Sequence, residues 1–327
     1  MSSRTILITG GTGSFGRGFV NLLLNETDWT IRILSRSEHL QLDMERELEA
    51  YKDRLRFFLG DVRDLERVKM AFKGVDYVVH AAAYKCVQKA ETDPFETVKT
   101  NILGTQNVIQ ASLSADVDSV LLISTDKAVE PINLYGSTKM VAERLMVAAN
   151  AYRGIGRTKL CATRYGNVAG TRSTVVPIFM GLRASGTLPV SDKNSTRFWI
   201  TLRDANKFVL KALRMASESQ GGEIYVPQMA SIRLTDLAEC IGGPNINLSF
   251  TGLRPGDKLH ESLITLHESS RVVMREGVYV IQPESPIWPY TKVYTKQFLR
   301  DMTSGDNKFL TLSEIKDSIE EYLVPAQ

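Results

Sequence analysis

Apolar side chains fall into short β-branched runs that end in glycine or small polar residues, and between these runs they recur at helical spacing. Residues 4–9 form the first run, closing on Gly10 and Gly11, and predict a buried strand. Residues 14–25 follow, with Phe15, Phe19, Leu22 and Leu23 on one helical face. Further strands are predicted over 30–34, 55–59, 75–81, 119–124 and 159–164. Residues 38–53 read as an exposed helix, because charged side chains surround Leu40, Leu42, Met44 and Leu48. Longer helices are predicted over 94–114 and 134–152, and no element is assigned between 59 and 75.

Strands that alternate with helices of this length imply parallel βαβ units. The expected fold class is α/β: a doubly wound parallel Rossmann sheet with a smaller, partly interleaved substrate lobe. The alternation fails after residue 167, where Pro177, Pro189, Pro227, Pro255, Pro283, Pro286 and Pro289 punctuate short mixed elements. The expected organisation is a nucleotide-binding domain over 1–167, rejoined by 195–220, with 168–327 mainly a substrate lobe.

Composition narrows the classes. The 327 residues are 43% apolar and 24% charged, which suits a folded core and not a disordered chain. A net charge of +3 is too small to make nucleic acid or a membrane surface the main partner. No apolar stretch approaches the ~18 residues of a membrane span. The first residues run straight into a predicted strand with no room for a signal peptide, so the expected location is cytoplasmic. Cys86, Cys161 and Cys240 lie far apart, as free thiols in a reducing compartment do. Among the four histidines, His260 beside Glu261 lacks metal-ligand spacing, and no metal is expected.

Two constellations carry chemistry. Gly10, Gly13 and Gly16 are spaced GxxGxxG between a strand and a helix. There the first permits a tight turn, the second lets backbone approach a pyrophosphate, and the third lets helix and strand pack closely. After the second strand the chain reads Leu34-Ser35-Arg36-Ser37, where an NAD site usually carries an acidic ribose anchor. Ser35 and Arg36 suit a 2′-phosphate, so NADP is the expected cofactor. Asp61 is placed to accept from an adenine amino group, and the small residues Ala81 and Ala82 leave space for the cofactor. The second constellation is Tyr135 and Lys139, a YxxxK pair one helical turn apart. An adjacent ammonium lowers the cost of the phenolate. Thr125, Asp126 and Lys127 end the preceding strand. A carboxyl and an amine there suit elimination of water, with the carboxyl protonated and the amine neutral.

The array resembles the extended short-chain dehydrogenase/reductase family. In detail it is similar to the inverting UDP-N-acetylglucosamine 4,6-dehydratases of bacterial polysaccharide pathways. The segments that carry the likeness include TGGTGSFG (9–16), KTNILGTQNVI (99–109), STDKAVEPINLYGSTK (124–139), RYGNVAG (164–170), TRFWIT (196–201) and LRPGDKLHE (253–261). The chain departs from the pattern at Tyr84, Cys86 and Gln88, and at Ser173, where a glycine is usual. The resemblance implies that Tyr135 and Lys139 serve hydride transfer, Thr125 holds the reacting hydroxyl, Lys127 is the carbon 5 base and Asp126 the carbon 6 acid. It carries cofactor contacts to Thr12, Ser14 and Phe15, to Val62, and to Lys85 and Asn101. It carries substrate contacts to Lys85, Asn167, Arg197, Arg254 and Glu261, with Val176 and Pro177 flanking uracil. It further implies a UDP-sugar substrate and a homo-oligomer. A UDP-sugar epimerase on the same scaffold and a non-catalytic NADP-binding regulator stay open as alternatives.

Overall fold

The computed structural model describes residues 4–171, 174–293 and 300–323; Arg172 and Ser173, including the glycine-replacing Ser173, lie outside the described residues. Six strands open the chain: β1 (Thr5–Thr9), β2 (Thr30–Ser35), β3 (Leu55–Leu59), β4 (Tyr77–His80), β5 (Ser119–Ile123) and β6 (Lys159–Thr163). Their helices are α1 (Ser14–Glu26), α2 (Glu38–Glu47), α3 (Leu65–Phe72), α4 (Val87–Thr92), α5 (Pro94–Val98), α6 (Gly104–Ala115) and α7 (Leu134–Ala148). The six strands are parallel in the order β3-β2-β1-β4-β5-β6, and the order reverses between β1 and β4.

Both faces of the sheet are covered, and the pleat sorts side chains between them. Leu7, Val78, Val120, Leu122 and Leu160 join the core under α3, α6 and α7. Their neighbours Ile6, Ile8, Val79, Leu121 and Cys161 join the core on the opposite face, with Phe19 and Leu23 of α1.

Two local readings change. Residues 65–72 form a helix, with Asp64 accepting the Arg67 N–H as its cap and Val68, Ala71 and Phe72 buried. The expected single helix over 94–114 is interrupted by a wide turn at Lys99–Leu103, where the Gly104 N–H reaches back to the Lys99 carbonyl. Gly104 then packs on Val62, leaving 2.8 Å between an added Cβ and Val62 Cγ2.

The rest of the chain alternates between sheet and lobe. It comprises β7 (Asn167–Val168), α8 (Val175–Leu182), β8 (Thr187–Val190), β9 (Thr196–Ile200), α9 (Leu202–Glu218), β10 (Ile224–Pro227), β11 (Ala230–Arg233), α10 (Leu234–Gly242) and β12 (Asn247–Phe250). Then follow β13 (Ser262–Ile264), α11 (Leu266–Ser269), β14 (Val272–Arg275), β15 (Val278–Ile281), β16 (Met302–Thr303), α12 (Leu312–Ser318) and α13 (Glu320–Leu323). The large sheet gains later strands: β10 adds parallel to β6, and β15 and β14 add antiparallel, whereas β9 pairs with β7 and β11 in a separate sheet. α9 packs beside α1 on the same face of the sheet through Phe208, Val209 and Leu213. The lobe has its own core of Val176, Phe179, Trp199, Leu237, Ile241 and Ile315. No helix among the described residues is long and apolar enough to cross a membrane.

Candidate active site

Doubly wound sheets bind ligands where the strand order reverses, at the carboxyl ends of the strands. Here that point is β1 against β4, and the turn after β1 is shaped by glycine. Gly10 has φ +70°, and a Cβ on it would lie 2.9 Å from Ala82 Cα. A Cβ on Gly16 would lie 2.4 Å from Gly11 Cα, so α1 meets the turn only through glycine. Gly13 starts α1 with no side-chain cap and no acidic residue in the first turn. The first amides of α1 are thus left for an anion. Thr12 is buried, Ser14 is half-buried, and Phe15 lines the cleft while stacking on Phe19 at 5.5 Å. Ala81 also lines the cleft, and the turn fits a dinucleotide.

The end of β2 carries the residues expected to read the ribose. Ser35 is buried and its hydroxyl accepts from Gln41 Nε2 at 2.9 Å. Arg36 is about half exposed, 3.7 Å from Asp61. Burial raises the Asp61 carboxyl, but bonds from the Arg63 N–H and guanidinium, both 2.9 Å, and the Arg36 charge outweigh it and hold it below the usual range. The side chains of Val62 and Asn101 have structural partners. Val62 is a core side chain. Asn101 accepts from the Tyr84 N–H at 2.7 Å and donates to the Tyr84 carbonyl and Thr138 Oγ1, both at 3.0 Å. It thereby braces the loop that presents Lys85, Cys86 and Gln88 to the cleft.

One cleft of about 880 Å³ brings together Thr125, Asp126, Lys127, Tyr135 and Lys139 with Lys85, Asn167, Arg197, Arg254 and Glu261. Thr125 Oγ1 donates to Asp126 Oδ1 at 2.9 Å. Lys127 Nζ sits 3.1 Å from Asp126 Oδ1 and 3.1 Å from Glu261 Oε1. Asp126 Oδ2, Glu261 Oε2 and Asn167 Oδ1 are buried with no partner. Arg197 is tied down, donating to the Thr196 and Leu259 carbonyls at 2.6 and 3.2 Å. Arg254 is exposed and, among the described residues, pairs with Asp257 at 2.7 Å. Val176 and Pro177 do not line the cleft. The helical repeat of α8 turns Val176 into the lobe core and Pro177 to the surface, and presents Thr174, Val175 and Ile178 instead.

The electrostatics correct two expectations. Lys127 is not held neutral. Burial lowers its ammonium, but Asp126 and Glu261 more than compensate and push it above its ordinary range. Lys139 is not the cation that Tyr135 feels most. Its Nζ donates to the Ile123 carbonyl at 2.5 Å, and burial brings it down to about 8. Burial pushes Tyr135 up to about 12, opposed by the Lys127 charge and a hydrogen bond with Thr125. Burial raises Asp126, as expected for an acid.

The model of the polysaccharide biosynthesis protein family matches residues 6–283. The chain belongs to this family. Among its family relatives, the inverting UDP-N-acetylglucosamine 4,6-dehydratase of Campylobacter jejuni is 45% identical over 86% of this chain and 84% of its own. A UDP-glucose 4-epimerase of Rickettsia felis is 38% identical over 96% of this chain and 94% of its own. The crystal structure of Pen from Bacillus thuringiensis superposes with a TM-score of 0.88 at 34% identity, covering 99% of both chains. The likeness drawn from the sequence motifs and the α/β fold class are therefore shown.

Within this family chain, sequence reasoning missed Arg63 and His80, and it did not foresee the partner of Glu261. Glu261, expected as a substrate contact, also pairs with Lys127. Arg63 clamps Asp61, and its only sequence signal is its place two residues on. His80 is buried between Thr9 Oγ1 at 2.7 Å and Thr105 Oγ1 at 3.1 Å, and burial with the Lys139 charge lowers it to about 3. Thr105 Oγ1 donates to the Asn101 carbonyl, so neutral His80 links the glycine turn to the loop-bracing helix.

Proposed function

We propose that this protein is a UDP-N-acetylglucosamine 4,6-dehydratase, an NADP-dependent hydro-lyase that inverts carbon 5 and yields a UDP 4-keto-6-deoxy sugar. The observation that carries the reading is the Asp126–Lys127 pair beside Tyr135 in one cleft. An epimerase acting only at carbon 4 has work for Tyr135 and none for that pair. A bound nicotinamide nucleotide supplies the reversible hydride chemistry. Gly10, Gly13, Gly16 and the uncapped start of α1 hold its pyrophosphate, and Arg36 reads its 2′-phosphate.

The chain's own groups then divide the proton work. Tyr135 takes the proton of the carbon 4 hydroxyl. Lys127 removes the carbon 5 proton, which the neighbouring ketone acidifies, and Asp126 protonates the hydroxyl leaving carbon 6. The ion pair reaches this state by passing one proton from Lys127 to Asp126 across their 3.1 Å contact. The transfer conserves net charge, and it is favoured when the sugar displaces water, because desolvation penalises the two separated charges. Arg254 has donors left for the diphosphate, Asn167 Oδ1 has an open acceptor, and Val175 and Ile178 flank the uracil. We further propose a cytoplasmic homo-oligomer.

A second reading, a UDP-sugar 4-epimerase, is favoured by the 38% identity to the Rickettsia enzyme. Mass spectrometry separates the two. Incubation with UDP-N-acetylglucosamine and NADP is expected to give a product lighter by one water, and a product of unchanged mass defeats the dehydratase reading. A non-catalytic regulator would give no product.

The cofactor prediction follows from Arg36. NADP is expected to bind more tightly than NAD, and Arg36→Glu to reverse the order. Loss of a charge-assisted phosphate contact costs about 1.5–3 kcal/mol. Titration of wild-type protein showing tighter binding of NAD rejects this assignment.

A further inference from the structure

Glu261 reaches the cleft from a segment far along the chain from Asp126 and Lys127. Its backbone is pinned on both sides: its N–H donates to Ser304 Oγ at 2.9 Å, and its carbonyl accepts from the Ser304 N–H at 2.8 Å. Its side chain is buried, with Oε1 on the Lys127 ammonium and Oε2 open. On the far side of the same ammonium lies Asp126, also with one oxygen open. One lysine therefore stands between two buried carboxylates, with Arg197 4.0 Å from Glu261 as a second cation.

Resting on the reading that Asp126 is the acid and Lys127 the base, this geometry has a proton-counting consequence. The pair works only while it holds one proton. With two it has no base, and with none it has no acid. We propose that Glu261 is a positioning residue that keeps one proton shared between Asp126 and Lys127 across the neutral range. Its charge acts on both limits in the same direction. It holds a proton on Lys127 and opposes ionisation of Asp126, so both the acidic and the basic limit lie at higher pH than they would without it.

The other charged groups facing the cluster come from other elements or have partners other than Glu261. Arg197 comes from β9, and Tyr135 from α7. Lys258 is fixed by the Val129 carbonyl at 2.6 Å, His260 by Thr196 Oγ1 at 2.8 Å, and Asp257 by Arg254.

The test compares wild type, Glu261→Gln and Glu261→Asp by two readouts. One is the pH profile of kcat/KM for water loss from UDP-N-acetylglucosamine. The other is the titration of the Lys127 side-chain nitrogen by 15N NMR, assigned with Lys127→Arg. In Glu261→Gln both limbs are expected to move to lower pH, the basic limb by roughly 1–3 pH units, since Glu261 touches Lys127 directly. The Lys127 midpoint falls with it. Glu261→Asp keeps the charge, so its limbs stay near wild type while kcat drops. Limbs and Lys127 midpoint that do not move in Glu261→Gln overturn the proposal and leave the dehydratase reading standing. A Lys127 midpoint that falls while the profile stays put supports the hold of Glu261 on the ammonium and overturns the acid/base reading instead. If Glu261→Gln does not fold, limbs displaced in Glu261→Asp by about one pH unit or more overturn it, because that variant keeps the charge.

Discussion

Replacing Tyr135 by Phe is expected to lower turnover by ~10²–10⁴-fold, the range for losing a positioned acid or base. The melting temperature is expected to stay nearly unchanged. The ring remains packed, and the lost hydroxyl faces the cleft, where Thr125 still has Asp126 to donate to. The size of the effect follows from the environment. Burial holds the phenol near 12 against an ordinary value of 10, so at neutrality it keeps its proton. Restoring the ordinary value takes about 3 kcal/mol of favourable charge. The Lys127 charge and the Thr125 hydrogen bond already act against burial in that value, and both act through the hydroxyl. The hydroxyl-deleted ring can use neither. Steady-state rates with UDP-N-acetylglucosamine, beside a thermal melt, check both halves, and near-wild-type turnover removes Tyr135 from the mechanism.

Lys127→Ala and Asp126→Asn are each expected to abolish water loss, by at least ~10²-fold. They break the same pair from opposite ends. Lys127→Ala removes the base and leaves Asp126 and Glu261 facing each other without the cation between them. Asp126→Asn removes the acid and leaves Lys127 on Glu261 alone. Both variants are expected to bind nucleotide as wild type does, because the glycine turn and Arg36 lie elsewhere along the cofactor cleft. Isotopes check the assignment step by step. In deuterated water the wild-type product is expected to carry deuterium at carbon 5, while the hydrogen at carbon 6 comes from carbon 4 of the same sugar. Product lacking carbon 5 deuterium excludes proton exchange there and with it the role of Lys127. Loss of both signals in Lys127→Ala, with nucleotide binding intact, supports it.

Much of the scaffold was legible in the chain. β3 is the run Leu55–Leu59, and β1 and β5 differ from their predicted runs by one residue at an end. Such strands are readable because one short apolar run satisfies both faces of a covered sheet. Residues 65–72 were less visible, since that helix is short and only Asp64, Val68, Ala71 and Phe72 announce it. The break at Lys99–Leu103 carried no helix-breaking residue. It exists because Asn101 must reach Tyr84 while Gly104 packs on Val62, and neither partner is near in sequence.

The site divides along the same line. Sequence alone determined what depends on neighbours: the glycine turn, where only Gly10 tolerates φ +70°, the one-turn spacing of Tyr135 and Lys139, and Thr125, Asp126 and Lys127 together at a strand end. Tertiary structure decided the charge states. Adjacency puts Asp126 and Lys127 together but does not say whether the lysine is an amine or an ammonium. That depends on Glu261, brought beside it by the pairing of Glu261 with Ser304. It also depends on water, which burial removes from Tyr135 and Lys139 alike. The physical reason is range. Backbone conformation is set over a few residues, whereas the field at a buried proton is summed over every charge within several ångströms, wherever the chain delivers it.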